Sequence, residues 1–222
     1  MLDFPFNCTA TAINDQQANA AKALVLTAAH CLVGDYEGFI YSTDDWAFAP
    51  AWHNNKSPYG MWQVKAAYYP YSWYHCVAGP HGEVCSNLDG SYDFGLLIVK
   101  PMHGHGVGWY VGDDGWRSQM PKTEKVTIFG VPGSSGTMLE NATTSTTVTI
   151  GGYTYRKAAT PGFGDGASGG PWFYSYNTGT QLGDLLGDTG GYDAGGPSDS
   201  PSYSPFWTQY FANFVAGIAK KE

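Results

Sequence analysis

The chain has 222 residues, 43% hydrophobic and 16% aromatic, enough apolar material for a sizeable core in one domain or in two packed halves. A formal net charge of -8 with no basic cluster excludes a partner recognised through its phosphates, so no nucleic acid is expected. No apolar run approaches the roughly 20 residues that a helix needs to cross a bilayer, so no membrane partner is expected either.

Charged residues make up only 14% while Gly 30 and Pro 13 are plentiful, which predicts short strands joined by many turns. Met1 to Phe6 lacks the charged start, apolar middle and small-residue cleavage site of a signal peptide. Residues 8 to 13 (CTATAI) alternate as a strand would, a polar turn comes next, and ALVLTAAHC begins as a buried strand that places His30 at its end. Residues 39 to 74 are rich in Trp and Tyr that read as core, and MWQVKAAYY reads as an alternating strand. DFGLLIV at 93 to 99 is a short buried strand with Asp93 at its head and Pro101 as its stop.

The Gly-rich stretch from Met102 to Lys122 reads as a loop, so the junction between an N-terminal half, 1–110, and a C-terminal half, 111–222, is placed there. KVTIFGVP, TTSTTVTI and YTYRKAAT read as three strands, succeeded by the Gly-rich PGFGDGASGGP and two more strands near PWFYSY and QLGDLLGD. Phe206, Trp207, Tyr210, Phe211, Phe214, Val215 and Ile218 recur at three- and four-residue spacing and predict an amphipathic C-terminal helix. The fold class is all-β with that one helix.

The four cysteines fall as two nearby pairs, Cys8 with Cys31 and Cys76 with Cys85, which could each close a loop in an oxidising compartment and favour a secreted, extracellular protein. A zinc site is the competing reading, since His30 adjoins Cys31 and His75 adjoins Cys76, but no spacing is of the C-x-x-C kind and no metal is expected. His103-Gly-His105 reads as exposed, and Asn141-Ala-Thr143 as a polar loop.

Acyl transfer by a serine needs an imidazole to take its proton, a carboxylate to orient the imidazole, and backbone amides aimed at the developing oxyanion. Glycines around the serine leave those amides accessible, and GDGASGGPW at residues 164 to 172 has this character. Alone it could be a flexible turn or a phosphate loop that lacks its Lys. Beside TAAHC at 27 to 31 and DFGLL at 93 to 97 it gains specificity. Asp93 has rivals in Asp89 and Asp165, and is preferred because the apolar strand starts directly after it.

The order His, Asp, Ser and the sequences around them resemble the chymotrypsin-like serine peptidases. Within that family CTATAI, LVLTAAHC, residues 58 to 64, GASGGPW and the late GGY with SYSPFW look like the secreted trypsin-like peptidases of actinobacteria. The resemblance implies two packed six-stranded antiparallel β-barrels with the site between them. It implies His30, Asp93 and Ser168 as catalytic residues, the amides of Gly166 and Ser168 as oxyanion hole, a Cys8 to Cys31 bridge beside the histidine, and no cofactor. It implies a substrate groove drawn from Gly162, Phe163, Leu185, Leu186, Gly187, Asp188 and Gly190.

The pattern departs in two places. Ala167 stands where animal enzymes carry an aspartate that pairs with a freed amino terminus, so no activation of that kind is expected. Gly162, six before the serine, removes the acidic floor of trypsin's pocket, with Asp184 and Asp188 as acids that could still enter. The expected function is a monomeric serine endopeptidase acting on proteins or peptides. A silent binding protein on the same fold and a small-ester esterase are the alternatives. The G-x-S-x-G of Gly166 to Gly170 is not a lipase elbow, because no histidine comes after Ser168.

Overall fold

The computed structural model describes residues 7–16, 21–33, 43–54, 56–79, 82–87, 89–133, 136–197 and 199–222, with the backbone alone at 45, 75–79 and 82–87. The first sheet runs β1-β2-β7-β4-β3 and is antiparallel throughout. Its strands are β1 (Thr11–Ala12), β2 (Leu24–Thr27), β3 (Ala47–Phe48), β4 (Trp62–Tyr68) and β7 (Gly95–Val99). β2 and β7 carry apolar residues at nearly every position because both of their faces are covered. β4 alternates instead, with Trp62 and Val64 inward and Gln63 and Lys65 outward. β5 (Tyr74–Gly79) and β6 (Gly82–Asn87) form a separate hairpin.

The second sheet runs β14-β11-β10-β9-β12-β13-β8. It comprises β8 (Gly115–Trp116), β9 (Thr123–Gly130), β10 (Leu139–Ile150), β11 (Tyr153–Ala158), β12 (Pro171–Asn177), β13 (Leu182–Asp188) and β14 (Ser202–Pro205). Gly151 and Gly152, at φ 60° and 89°, make the two-residue turn between β10 and β11, a geometry that suits the twist of a hairpin.

The molecule is mostly β, with two curled sheets forming half-barrels. The expected six strands in each are, among the described residues, five with a hairpin beside them and seven. The seventh is β8, a two-residue strand that runs parallel to β13. The stretch expected to be loop holds a short helix, α1 (Val107–Val111), which Gly112 ends at φ 79°. β14 is absent from the expected strands because Ser202, Ser204 and Pro205 lack the usual strand signature, yet all four of its residues are buried.

The C-terminal helix, α2 (Gln209–Ala219), begins after Phe206 and Trp207, where the Thr208 side chain accepts from the Tyr210 amide at 3.3 Å. It buries Phe211, Val215 and Ile218. The Phe211 ring stacks on Trp207 at 3.8 Å and meets Phe94 at 5.1 Å and Trp116 at 5.3 Å edge-on. One helix thus packs on residues from both halves of the chain, and the main apolar core is continuous across them.

A polar stitch also joins the sheets. Buried Asp114 accepts from the Thr11 hydroxyl of β1 at 2.9 Å and from the Gly183 amide of β13 at 3.0 Å. Burial pushes its carboxyl up to about 6 in spite of these donors. A carboxyl whose folded value lies above its unfolded one favours folding most below about 3.8, and loses that contribution as pH rises through about 6. Asp114→Asn is therefore expected to flatten the change in urea-unfolding stability between pH 4 and pH 7. It should gain relative to the parent at pH 7 by at most about 3 kcal/mol. An unchanged pH slope in the variant would refute this.

Candidate active site

His30 lies in a 3-10 turn, Ala29–Cys31, just after the buried strand β2. Cys31 is bonded to Cys8, 23 residues earlier, and their sulfurs and a ring nitrogen of His30 all lie within 4.8 Å of one another. That cluster has the composition of the zinc reading, but its two sulfurs are bonded to each other and are not thiolate ligands. Cys76 and Cys85 face each other in the register of β5 and β6, and their side chains lie outside the described residues.

Asp93 closes a second 3-10 turn, Gly90–Tyr92, just before β7, and is fully buried. Three donors converge on it. The His30 amide reaches Oδ1 at 2.9 Å, His30 Nδ1 donates to Oδ2 at 2.8 Å, and the Gly191 amide donates to Oδ2 at 2.6 Å. The bond from Nδ1 leaves Nε2 as the basic nitrogen of the neutral ring. The rival acids do other work. Asp89 accepts from the Ser91 amide at 3.0 Å and shapes the turn, and Asp165 is exposed. Gly190 must be glycine, since a Cβ there would come within 2.9 Å of the Asp93 carbonyl oxygen and 3.0 Å of Oδ2.

Ser168 belongs to a turn whose glycines take the left-handed region, Gly166 at φ 95° and Gly169 at 77°. Its carbonyl accepts from the Thr9 amide at 2.7 Å. The Thr9 hydroxyl donates to the Gly166 carbonyl at 2.8 Å and accepts from the Val131 amide at 2.8 Å. The Thr9 carbonyl accepts from the Thr27 hydroxyl at 2.9 Å, and a Cβ on Gly169 would collide with both. Thr9 thus ties the serine turn to the segment that carries His30, through direct bonds and through its neighbour Cys8. Among the described residues, the Ser168 hydroxyl and the amides of Gly166 and Ser168 have no hydrogen-bond partner. Ala167 is buried in the smaller core with Phe163 and Trp172.

A cavity of about 200 Å³ opens beside Ser168. Of the residues expected to form a groove, only Phe163 lines it, with its ring packed toward Gly130. Gly162 is exposed outside it. Leu185 and Leu186 are core, Gly187 packs against the Ser204 hydroxyl, and Gly190 lies against Asp93. Their placement has a simple cause. β13 is an interior strand paired on both edges, and from Leu185 to Asp188 its side chains and backbone fill the sheet interior. The cavity is walled by the segment after β13, including Thr189, Gly195, Asp199 and Ser202. That Gly- and Ser-rich segment has no hydrophobic period to mark its role, and Asp193 and Ala194 within it take φ near 50°.

Asp184 accepts from the Tyr174 hydroxyl at 3.1 Å and does not line the cavity. Asp188 is fully buried, where its Oδ1 accepts from the Trp207 indole at 3.1 Å and Oδ2 has no partner. Burial first, and then the neighbouring Asp93 charge, push its carboxyl well above the usual range, which favours the protonated form. Asp188→Asn keeps the shape and an acceptor for the indole and should unfold within about 1 kcal/mol of the parent, whereas Asp188→Ala strands the indole N–H and should cost about 1–3 kcal/mol. Equal losses in urea titrations of the two variants would contradict this.

No protein-family model matches the sequence, and no curated protein matches it. Solved structures do. Protease Anisep from Arthrobacter nicotinovorans is 25% identical with a TM-score of 0.73, over 95% of this chain and 89% of that one. The thermostable serine protease AL20 from an extremophilic microorganism is 18% identical with a TM-score of 0.74, over 97% and 91%. A Glu endopeptidase is 19% identical with a TM-score of 0.62, over 97% and 86%. The last two likenesses speak for the fold alone. The architecture is the chymotrypsin fold, and the chain fits a trypsin-like peptidase.

Proposed function

We propose that this chymotrypsin-fold chain is a secreted serine endopeptidase that cleaves peptide bonds through an acyl-enzyme on Ser168. The observation that carries the reading is the pair of His30 Nδ1 with fully buried Asp93 Oδ2 at 2.8 Å, in a chain whose similar structures include serine proteases. Asp93 holds the imidazole in one tautomer and orientation and stabilises the imidazolium that forms during reaction. His30 takes the proton from Ser168 as Oγ attacks the scissile carbonyl, and returns it to the departing amine. Water then repeats the attack on the ester with His30 again as base, which frees the acid product and Ser168.

The amides of Gly166 and Ser168, without a partner among the described residues, are the donors for the tetrahedral oxyanion. Residues 1–110 supply the base and its orienting acid, and residues 111–222 supply the nucleophile. The Cys8 to Cys31 disulfide supports an oxidising, extracellular setting. The substrate is a protein or peptide, and the enzyme works as a monomer without a cofactor.

A serine-directed fluorophosphonate with a mixed peptide library tests this. The parent should be labelled at Ser168 and should cleave peptides. Ser168→Ala should keep its fold and lose on the order of 10⁶ in turnover, and Asp93→Asn about 10⁴. Labelling without peptide cleavage would replace the reading with an esterase. Absence of labelling in folded protein would replace it with a binding protein.

A further inference from the structure

An amide can stabilise an oxyanion only if its N–H is held in one direction, and in a planar trans peptide the N–H points opposite to the carbonyl of the same unit. What each carbonyl around Ser168 binds therefore decides where the amides face. The peptide bonds of this turn are trans. In the unit that carries the Gly166 N–H, the Asp165 carbonyl accepts from the Gly133 amide at 2.7 Å. The next unit is held at both ends, with the Gly166 carbonyl accepting from the Thr9 hydroxyl at 2.8 Å and the Ala167 amide donating to the Gly164 carbonyl at 3.1 Å. In the unit that carries the Ser168 N–H, the Ala167 carbonyl accepts from the Gly170 amide at 2.9 Å. All three carbonyls are taken, and the amides of Gly166 and Ser168 face away from the groups that take them.

Of these units the first is the easiest to turn over. Gly166 stands at φ 95°, and glycine adopts φ of either sign at similar cost, so rotation of its unit would put the Asp165 carbonyl where the N–H stands. Ala167, apolar and buried with Phe163 and Trp172, brings no charge that would hold the turn. A side chain at 166 cannot hold it either, because a Cβ there would come within 2.5 Å of the Gly133 nitrogen and 2.8 Å of the Val131 carbonyl oxygen. The bond from Gly133 opposes the rotation, and it lasts only while residues 131–133 stay against the turn. One hydroxyl joins the two segments. Thr9 Oγ1 donates to the Gly166 carbonyl and accepts from the Val131 amide, both at 2.8 Å. Thr9 is buried and is itself fixed, by its amide on the Ser168 carbonyl at 2.7 Å and by the Thr27 hydroxyl on its carbonyl at 2.9 Å.

We infer that Thr9 is a positioning residue for the oxyanion hole: its hydroxyl clamps the Val131 amide to the Gly166 carbonyl, which keeps Gly133 bonded to Asp165 and the Gly166 N–H turned toward the reacting carbonyl. The inference rests on the endopeptidase reading and adds to it the group that holds the turn in shape. Thr9 touches no reacting atom. The oxyanion exists only after attack, so a misdirected amide lowers kcat and leaves KM nearly unchanged.

The test uses the full chain, a peptide that it cleaves, and a trifluoromethyl ketone of the same sequence, whose adduct with Ser168 carries the oxyanion. Thr9→Val keeps the shape and removes the hydroxyl, and Thr9→Ser keeps the hydroxyl and removes the methyl. Thr9→Val should lose about 10- to 100-fold in kcat, with KM within about twofold and the ketone weakened by the same factor as kcat/KM. Thr9→Ser should stay within about threefold of the parent in all three. Endpoint titration of Ser168 with fluorophosphonate gives the active fraction, so misfolded material is recognised and corrected for. Hydrogen exchange on the parent needs no variant, and should find the Val131 and Gly133 amides protected without any ligand. An unchanged kcat in Thr9→Val, a loss carried by KM, an equal loss in Thr9→Ser, or rapid exchange at Val131 and Gly133 overturns the inference and leaves the endopeptidase reading standing. Failure of the parent to label at Ser168 overturns both.

Discussion

The structure depends on a single buried carboxyl. Asp93 is out of solvent altogether, and a carboxyl in that position is tolerable only when donors surround it. The three donors come from His30 and Gly191, so burial of one side chain draws together segments 63 and 98 positions away. The same requirement keeps a side chain off Gly190 and sets the path of the chain after β13. Stability and positioning of the imidazole are here one constraint, since the hydrogen bond that satisfies the carboxyl also orients the ring.

A second layer of contacts holds the serine turn against this arrangement. Thr9 binds the carbonyls or amides of Gly166, Ser168 and Val131 and takes the Thr27 hydroxyl, so one small residue beside Cys8 touches both sides of the site. The disulfide then limits how far Cys31 and its neighbour His30 can drift from Thr9. Helix α2 and Asp114 act at longer range, one through aromatic packing and the other through two hydrogen bonds between sheets. Two curled sheets with a continuous core give the rigid frame that a site assembled from distant segments needs.

Buried Asp188 shows how closely charge is managed around Asp93. Two carboxyls near each other in a dry interior cannot both ionise without large cost, and Asp188, with an oxygen that lacks a partner, is the one whose carboxyl is pushed up. Asp165 and Asp199, by contrast, lie exposed to solvent beside the cavity. Burial, not residue type, separates the roles of these aspartates.

The amino-acid order by itself determined local features: the alternation that makes β4, the apolar runs of β2 and β7, the helical spacing of α2, and the glycines that let the chain turn around Ser168. The places of His30, Asp93 and Ser168 were legible because each stands at a strand end or turn with a distinctive neighbourhood. Only the apolar strand after Asp93 told it from Asp89 and Asp165, and the fold supplied the physical distinction, a hydrogen bond to His30. The cavity beside Ser168 was decided by tertiary structure alone. Leu185 to Asp188 looked eligible by position but fill an interior strand, while Thr189, Asp199 and Ser202 come together from a segment with no period to read. A periodic pattern reports which face of an element is buried, whereas a cavity is the space left between elements, and no single segment encodes it.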